Sequence, residues 1–260
     1  MVHVDVSDIY KSRYILLWSV LSFKAGLLNS AGFLLAGSFV SHVTGFGTQI
    51  GIAVLHSNYD FSIELLVIPL TFIGGAVLAS LVLEREYSKH RIPPYPIIQL
   101  LITFLLGIIS VAFFLGIFDV KTFNAEEENE DTTILFIGLL CLVCGLKNGL
   151  TTWATQGKIR TTHLTGLSTD IGLHLPKLFR PEGSPSRYPE PKKVTIVRLV
   201  ILLAFSIGAC LSAVLIPLID YKIFYIALAI SAVLCVVSFV HRRQVPSLQI
   251  SQTELGRWEH

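Results

Sequence analysis

Ser41-His42-Val43-Thr44-Gly45-Phe46-Gly47-Thr48-Gln49-Ile50-Gly51-Ile52 decides the fold, because the chain returns to it as Thr162-His163-Leu164-Thr165-Gly166-Leu167-Ser168-Thr169-Asp170-Ile171-Gly172-Leu173. Six of the twelve positions are identical. Order separates a duplication from a coincidence. Gly26-Leu27-Leu28-Asn29 precedes the first copy as Gly145-Leu146-Lys147-Asn148 precedes the second. Phe72-Ile73-Gly74-Gly75-Ala76-Val77-Leu78 follows the first as Phe205-Ser206-Ile207-Gly208-Ala209-Cys210-Leu211 follows the second. Three colinear matches imply two homologous halves, residues 14–120 and 132–241, within one domain. Duplicated membrane segments are the plan of many transporters and channels, with the site at the repeat interface.

Composition places the halves in a bilayer. Apolar residues make up 52% of the chain, charged residues 15%, and the mean hydropathy is +0.66, too high for a soluble domain with solvated faces. Apolar windows run over residues 14–40, 65–83, 97–118, 133–153, 194–219 and 221–240. Each reaches the roughly 20 residues a helix needs to cross about 30 Å of hydrocarbon. The runs are unbroken rather than alternating, which favours helices over the strands of a membrane barrel. The first window is too long for a cleavable signal and carries part of the repeat.

The repeated motif lies in segments of another kind. Residues 41–56 and 162–175 are too short to span and too apolar for a loop in water, so each reads as a re-entrant or broken half-helix. Charge supports that count. With six crossings and a cytoplasmic N-terminus, fifteen flanking Lys and Arg fall inside, including Arg85, Lys89 and Arg91. Only Lys121 and Lys222 fall outside, beside the acidic run at residues 126–131. The expectation is an all-α membrane protein of six transmembrane helices and two re-entrant half-helices, in an inverted 3+3 repeat with both termini cytoplasmic. The loop at residues 176–193, rich in Pro and basic residues, reads as cytoplasmic and within reach of anionic headgroups.

Within the motif, Thr44-Gly45 and Thr165-Gly166 look like helix starts, a hydroxyl to accept a backbone N–H and a Gly to permit close approach. A half-helix beginning at membrane depth turns unsatisfied N–H groups and its positive dipole end toward the interior, favouring an anion or polar acceptor. His42 and His163 stand just before those threonines, Gln49 and Asp170 about one turn beyond. Asn29 and Asn148 lie in the preceding spans. These residues form the candidate solute site. Each has a plainer reading, since a broken helix needs polar partners whatever the protein does. Asp170 is the sharpest, because an ionisable residue within a bilayer is a functional hypothesis by default. Lys24 falls near mid-span, Lys147 reads as snorkelling to the cytoplasmic surface, and so does Arg198. Gly75 with Ala79, and Gly208 with Ser212, read as helix-packing pairs. Cys141 and Cys144 read as small buried hydrophobes.

No nucleotide loop, dinucleotide fingerprint, zinc-protease motif or nucleophile elbow occurs, so neither an enzyme nor a cofactor is expected, and the charge pattern does not suit nucleic acid. The Gly-Leu-x-Asn and Ser/Thr-His-x-Thr-Gly pattern, with the run at residues 159–172, resembles the YoaK family of bacterial membrane proteins, from about Trp18 to His241. The resemblance implies an integral protein of the bacterial inner membrane and brings no substrate with it. The expected partners are a small polar or anionic solute and membrane lipids, with oligomeric state left open. The expected function is a channel or secondary transporter, with the solute between the two His-x-Thr-Gly half-helices. A membrane sensor or accessory protein with a purely structural repeat is the alternative, and an intramembrane enzyme using His163 and Asp170 is a weaker one.

Overall fold

A computed structural model describes residues 10–55, 59–89, 93–118, 130–159, 161–180 and 192–244. His56, residues 121–129 of the acidic connection, Arg91, Arg160 and residues 181–191 of the basic loop lie outside the described residues, so the expectations resting on them go untested.

Among the described residues the chain is helical and has no strand. The helices are α1 (Ser12–Ala36), α2 (Val43–Leu55), α3 (Tyr59–Tyr87), α4 (Tyr95–Phe114), α5 (Glu130–Ala154), α6 (Leu164–His174), α7 (Lys192–Ile219) and α8 (Ile223–Gln244). A 3-10 turn at Leu175–Phe179 extends α6, and another at Asp220–Lys222 joins α7 to α8. Local sequence explains the ends. Gly37 adopts the left-handed conformation (φ 66°) that closes α1, and Pro96 near the start of α4 forfeits no helical hydrogen bond there.

Five segments are long and apolar enough to cross a membrane, and the last, residues 192–242, contains both α7 and α8. Their outer faces are apolar. On α3, Leu66, Leu70, Ile73, Val77 and Leu81 are exposed at helical spacing, and α7 shows Leu203, Ile207, Leu211, Val214 and Leu218 in the same way. Apolar faces this extensive are costly in water and ordinary in lipid. The protein is membrane-embedded. The two short helices, 13 residues in α2 and 11 in α6, do not by themselves reach across a bilayer.

Packing is reciprocal between the halves. α1 lies along α7, and α3 lies along α5. Glycines allow the close approach. A side chain on Gly26 would overlap the Phe205 carbonyl, and one on Gly145 would overlap the equivalent Phe72 carbonyl. In the same crossings Gly208 lies against the Phe23 carbonyl and Gly75 against that of Leu142. Ala79 and Ser212, one turn further along, are fully buried, as expected of a helix-packing pair. α4 packs on α8.

Aromatic clusters mark the two ends of the bundle. At one end Trp153 of α5 meets Tyr87 of α3 and Tyr95 of α4, and its indole N–H donates to Glu84 at 2.9 Å. At the other end Phe113 of α4 sits among Phe136 of α5, Tyr221 and Phe224. Of these rings Trp153, Tyr87 and Tyr221 carry the polar edge that suits the level where hydrocarbon meets water.

Candidate functional site

The Gly-Leu-x-Asn motif has two tasks. Its Gly admits the crossing helix, and its Asn, one turn on, ties down the short helix of the same half. Asn29 Oδ1 accepts from the Ser41 backbone N–H at 3.1 Å and from the Ser41 hydroxyl at 2.9 Å. In the second half the Asn148 amide bonds the Thr162 hydroxyl at 2.5 Å. A second matched pair holds the segment just ahead of each motif. Ser22 Oγ donates to the Thr161 carbonyl at 3.3 Å, and Cys141 Sγ, at the equivalent position of α5, donates to the Val40 carbonyl at 3.3 Å. Cys141 and Cys144 are buried free thiols. Ser22 also reaches the Ile201 carbonyl at 2.9 Å. Each interhelical bond meets a polar group that would otherwise be unsatisfied in an apolar interior.

The helix starts differ from expectation. α2 begins at Val43 and α6 at Leu164, so Thr44 and Thr165 are already inside the first turn and their hydroxyls do not cap it. The position before the helix is held by histidine, and His163 makes no side-chain cap bond. Its imidazole instead folds over the first turn. A Cβ on Gly166 would come within 2.6 Å of the His163 ring, and one on Gly45 within 3.0 Å of His42 Nδ1. The His-x-x-Gly spacing is therefore a ring seated on a bare patch of its own helix. His42 also meets Phe39 edge-on, with ring centroids 6.0 Å apart.

The two short helices have separate seats. α2 packs on α3 and buries Phe46 in the larger core, whereas α6 packs on α7 and buries Leu167 and Ile171 beside Trp18, Val197 and Ile201. These contacts do not bring the two N-termini face to face. His42, Thr44, His163 and Thr165 are exposed on the bundle surface. The reason is apolar burial at a few positions: Phe46 of α2 and Leu167 and Ile171 of α6 turn onto the long helices, which leaves these His and Thr side chains outward.

Asp170 is held by Arg198, with Nη2 at 3.2 Å from Oδ2. Arg198 is 9% exposed, so the expectation that it snorkels is corrected; a carboxylate across the α6/α7 contact is the better partner. His174, one turn beyond Asp170, places Nδ1 2.7 Å from the Asp170 carbonyl. Gln49, at the position equivalent to Asp170, has a buried Oε1 without a hydrogen-bond partner among the described residues.

Lys147 is corrected as well. It is 1% exposed and points inward, with Nζ 3.4 Å from the Leu21 carbonyl of α1. Lys24, 0% exposed, donates to Ser231 Oγ of α8 at 2.7 Å. Gln99 of α4 donates to the Ser231 carbonyl at 3.2 Å. Gln99 and Ser231 escaped the sequence reading, although a buried-length apolar window holding a single amide is a usable signal. Together these side chains make a polar centre among α1, α4, α5 and α8.

No curated protein and no solved structure matches the chain. The family model for a protein of unknown function, DUF1275, matches residues 17–240, the two halves with all the helices that carry the matched bonds. The chain belongs to the DUF1275 family of proteins of unknown function.

Proposed function

We propose that this protein is a secondary transporter or channel for a small polar or anionic solute, built from two inverted halves of three spans and one re-entrant helix each. The observation that carries the reading is the reciprocal crossing of the halves, α1 on α7 as α3 on α5, through equivalent glycines and equivalent hydrogen bonds. Interlocked repeats with broken helices are a transporter plan in which one half rocks against the other around an interior site. Asn29 and Asn148 pin the short helices to that interface, and Asp170 with Arg198 places charge beside one of them. In this reading both termini are cytoplasmic in a bacterial inner membrane, the chain falls in the YoaK branch of the family, and the solute path runs between the halves.

A specific observation favours the alternative for one part of the motif. His42 and His163 lie over Gly45 and Gly166 of their own helices, which suits a structural role for the His-x-Thr-Gly element. Solute uptake into proteoliposomes separates the two, using small carboxylates, inorganic anions and neutral polar solutes. Transport by the wild type that Asp170→Asn alters without lowering thermal stability supports the transporter reading. Absence of uptake for every solute class, with the fold intact, leaves the structural alternative. Thiol labelling of Lys89→Cys tests the topology, and labelling from outside intact cells refutes both the six-span count and the inversion.

A further inference from the structure

Lys24 and Lys147 place two ammonium groups in the bundle interior, one contributed by each half, and the only acceptors they meet among the described residues are neutral. They are not repeat equivalents. Val143 stands where the second half would match Lys24, and Leu28 where the first half would match Lys147. The two side chains nevertheless meet on α1, where Lys147 Nζ reaches the carbonyl of Leu21, one turn before Lys24. The carboxylates with described side chains are engaged elsewhere or lie at the bundle ends. Glu84 accepts from Trp153, Glu86 stands 3.9 Å from Lys89, Asp170 holds Arg198, and Asp220 lies in the α7–α8 turn. An ammonium has three N–H donors. After the bonds to Ser231 and Leu21, each lysine keeps two, and the Gln99 amide approaches from α4 through Ser231.

Two buried cations with no counter-charge among the described residues repel each other and have lost their hydration, which costs several kcal/mol per ion in a low dielectric. A small anion between them removes both penalties. We infer that Lys24 and Lys147, assisted by the Ser231 hydroxyl, form a binding site for a small monovalent anion at the centre of α1, α4, α5 and α8. Complete burial of the lysines limits the ligand to a halide, nitrate or formate-sized ion, admitted when α1 and α5 part from α4 and α8. The inference deepens the transport reading by naming the solute class, and it moves the charged site from the short helices to the helices between them.

The test is thermal unfolding of the full chain in nanodiscs, titrated with sodium chloride, nitrate or formate at constant ionic strength against sodium gluconate, which is too large for the site. The expected result is a saturable rise in Tm, on the order of 5 °C at a hundredfold excess over Kd. Lys24→Met and Lys147→Met should each abolish that rise. Their Tm in gluconate should equal or exceed that of the wild type, because an uncompensated charge has gone. A wild-type Tm identical in all four salts overturns the site, and so does a rise that survives both substitutions. If the Met variants fail to fold, the wild-type titration decides alone. The response should be the same in neutral and anionic lipid. Stabilisation by anionic lipid with none by salt assigns the charge to a headgroup and overturns a free-anion site. Uptake assays keep the two readings apart, since saturable binding without flux retains the site and removes the transporter, whereas flux indifferent to both lysines does the reverse.

Discussion

The two short helices occupy matching seats and carry different charge. α2 and α6 are each tied to the preceding span through an Asn, each fold a His over a Gly, and each lie against the long helix that follows. Yet α6 holds Asp170 against Arg198, whereas the equivalent positions in the first half are Gln49 and the buried Leu65. The residues that repeat are those that fix backbone contact. The acidic and basic residues buried or paired in the bundle, Lys24, Lys147, Asp170 and Arg198, do not repeat. Reciprocal packing asks the same contact residues of both halves, because each is the other's partner, and it makes no such demand on the charges.

The comparison breaks most visibly if charge is forced into symmetry. Gln49→Asp places a carboxylate where no arginine stands, and an unpaired charge at this half-buried position should cost about 1–3 kcal/mol. Adding Leu65→Arg should return a large part of that loss by rebuilding the pair seen in the second half. Thermal melts of the single and double variants measure it. A Gln49→Asp variant as stable as the wild type means that the two environments differ in more than one residue.

Packing symmetry predicts equal effects. Gly26→Ala and Gly145→Ala each drive a methyl into a carbonyl of the crossing helix, and each should cost about 2–3 kcal/mol through forced separation of the helices. Unequal losses would show that one crossing carries the fold and the other follows it. Asn29→Ala and Asn148→Ala form the milder pair. Each removes a bond that pins a short helix, for an expected loss of about 1 kcal/mol and faster amide exchange confined to α2 or α6. Exchange that quickens throughout the bundle would mean that the short helices hold the halves together.

Much of this architecture is legible in the sequence because hydrocarbon imposes simple rules. Unbroken apolar runs announce the long helices, and the colinear glycines announce which of them cross. The direction of a lone charge is less legible. Lys147 sits at a depth from which a lysine can reach the headgroups or turn inward. Only the neighbouring α1, with its Leu21 carbonyl, decides between them. Arg198 is similar, since its carboxylate partner comes from a helix 28 residues earlier in the chain. The position of α2 and α6 was hidden for another reason. A repeat shows that two segments are equivalent, not whether the axis relating them brings them together or holds them apart.

The smallest expected effect sharpens the comparison most, because it changes sign. A helix interior prefers Ala to Gly by roughly 0.5–1 kcal/mol, so Gly45→Ala and Gly166→Ala should stabilise α2 and α6 if nothing stood in the way. The histidine rings do. At Gly166 the new methyl would come within 2.6 Å of His163, and at Gly45 within 3.0 Å of His42, so the ring must leave its seat in the second half and shift only slightly in the first. Gly166→Ala should therefore be neutral or destabilising by up to about 1 kcal/mol, with Gly45→Ala the milder of the two. Removing the ring first should reverse the outcome. In a His163→Ala background Gly166→Ala should stabilise by about 0.5–1 kcal/mol, and His42→Ala should release Gly45→Ala in the same way. A double-mutant cycle in each half gives the coupling, larger in the second. If Gly166→Ala is as costly without the imidazole as with it, the glycine serves something other than the ring.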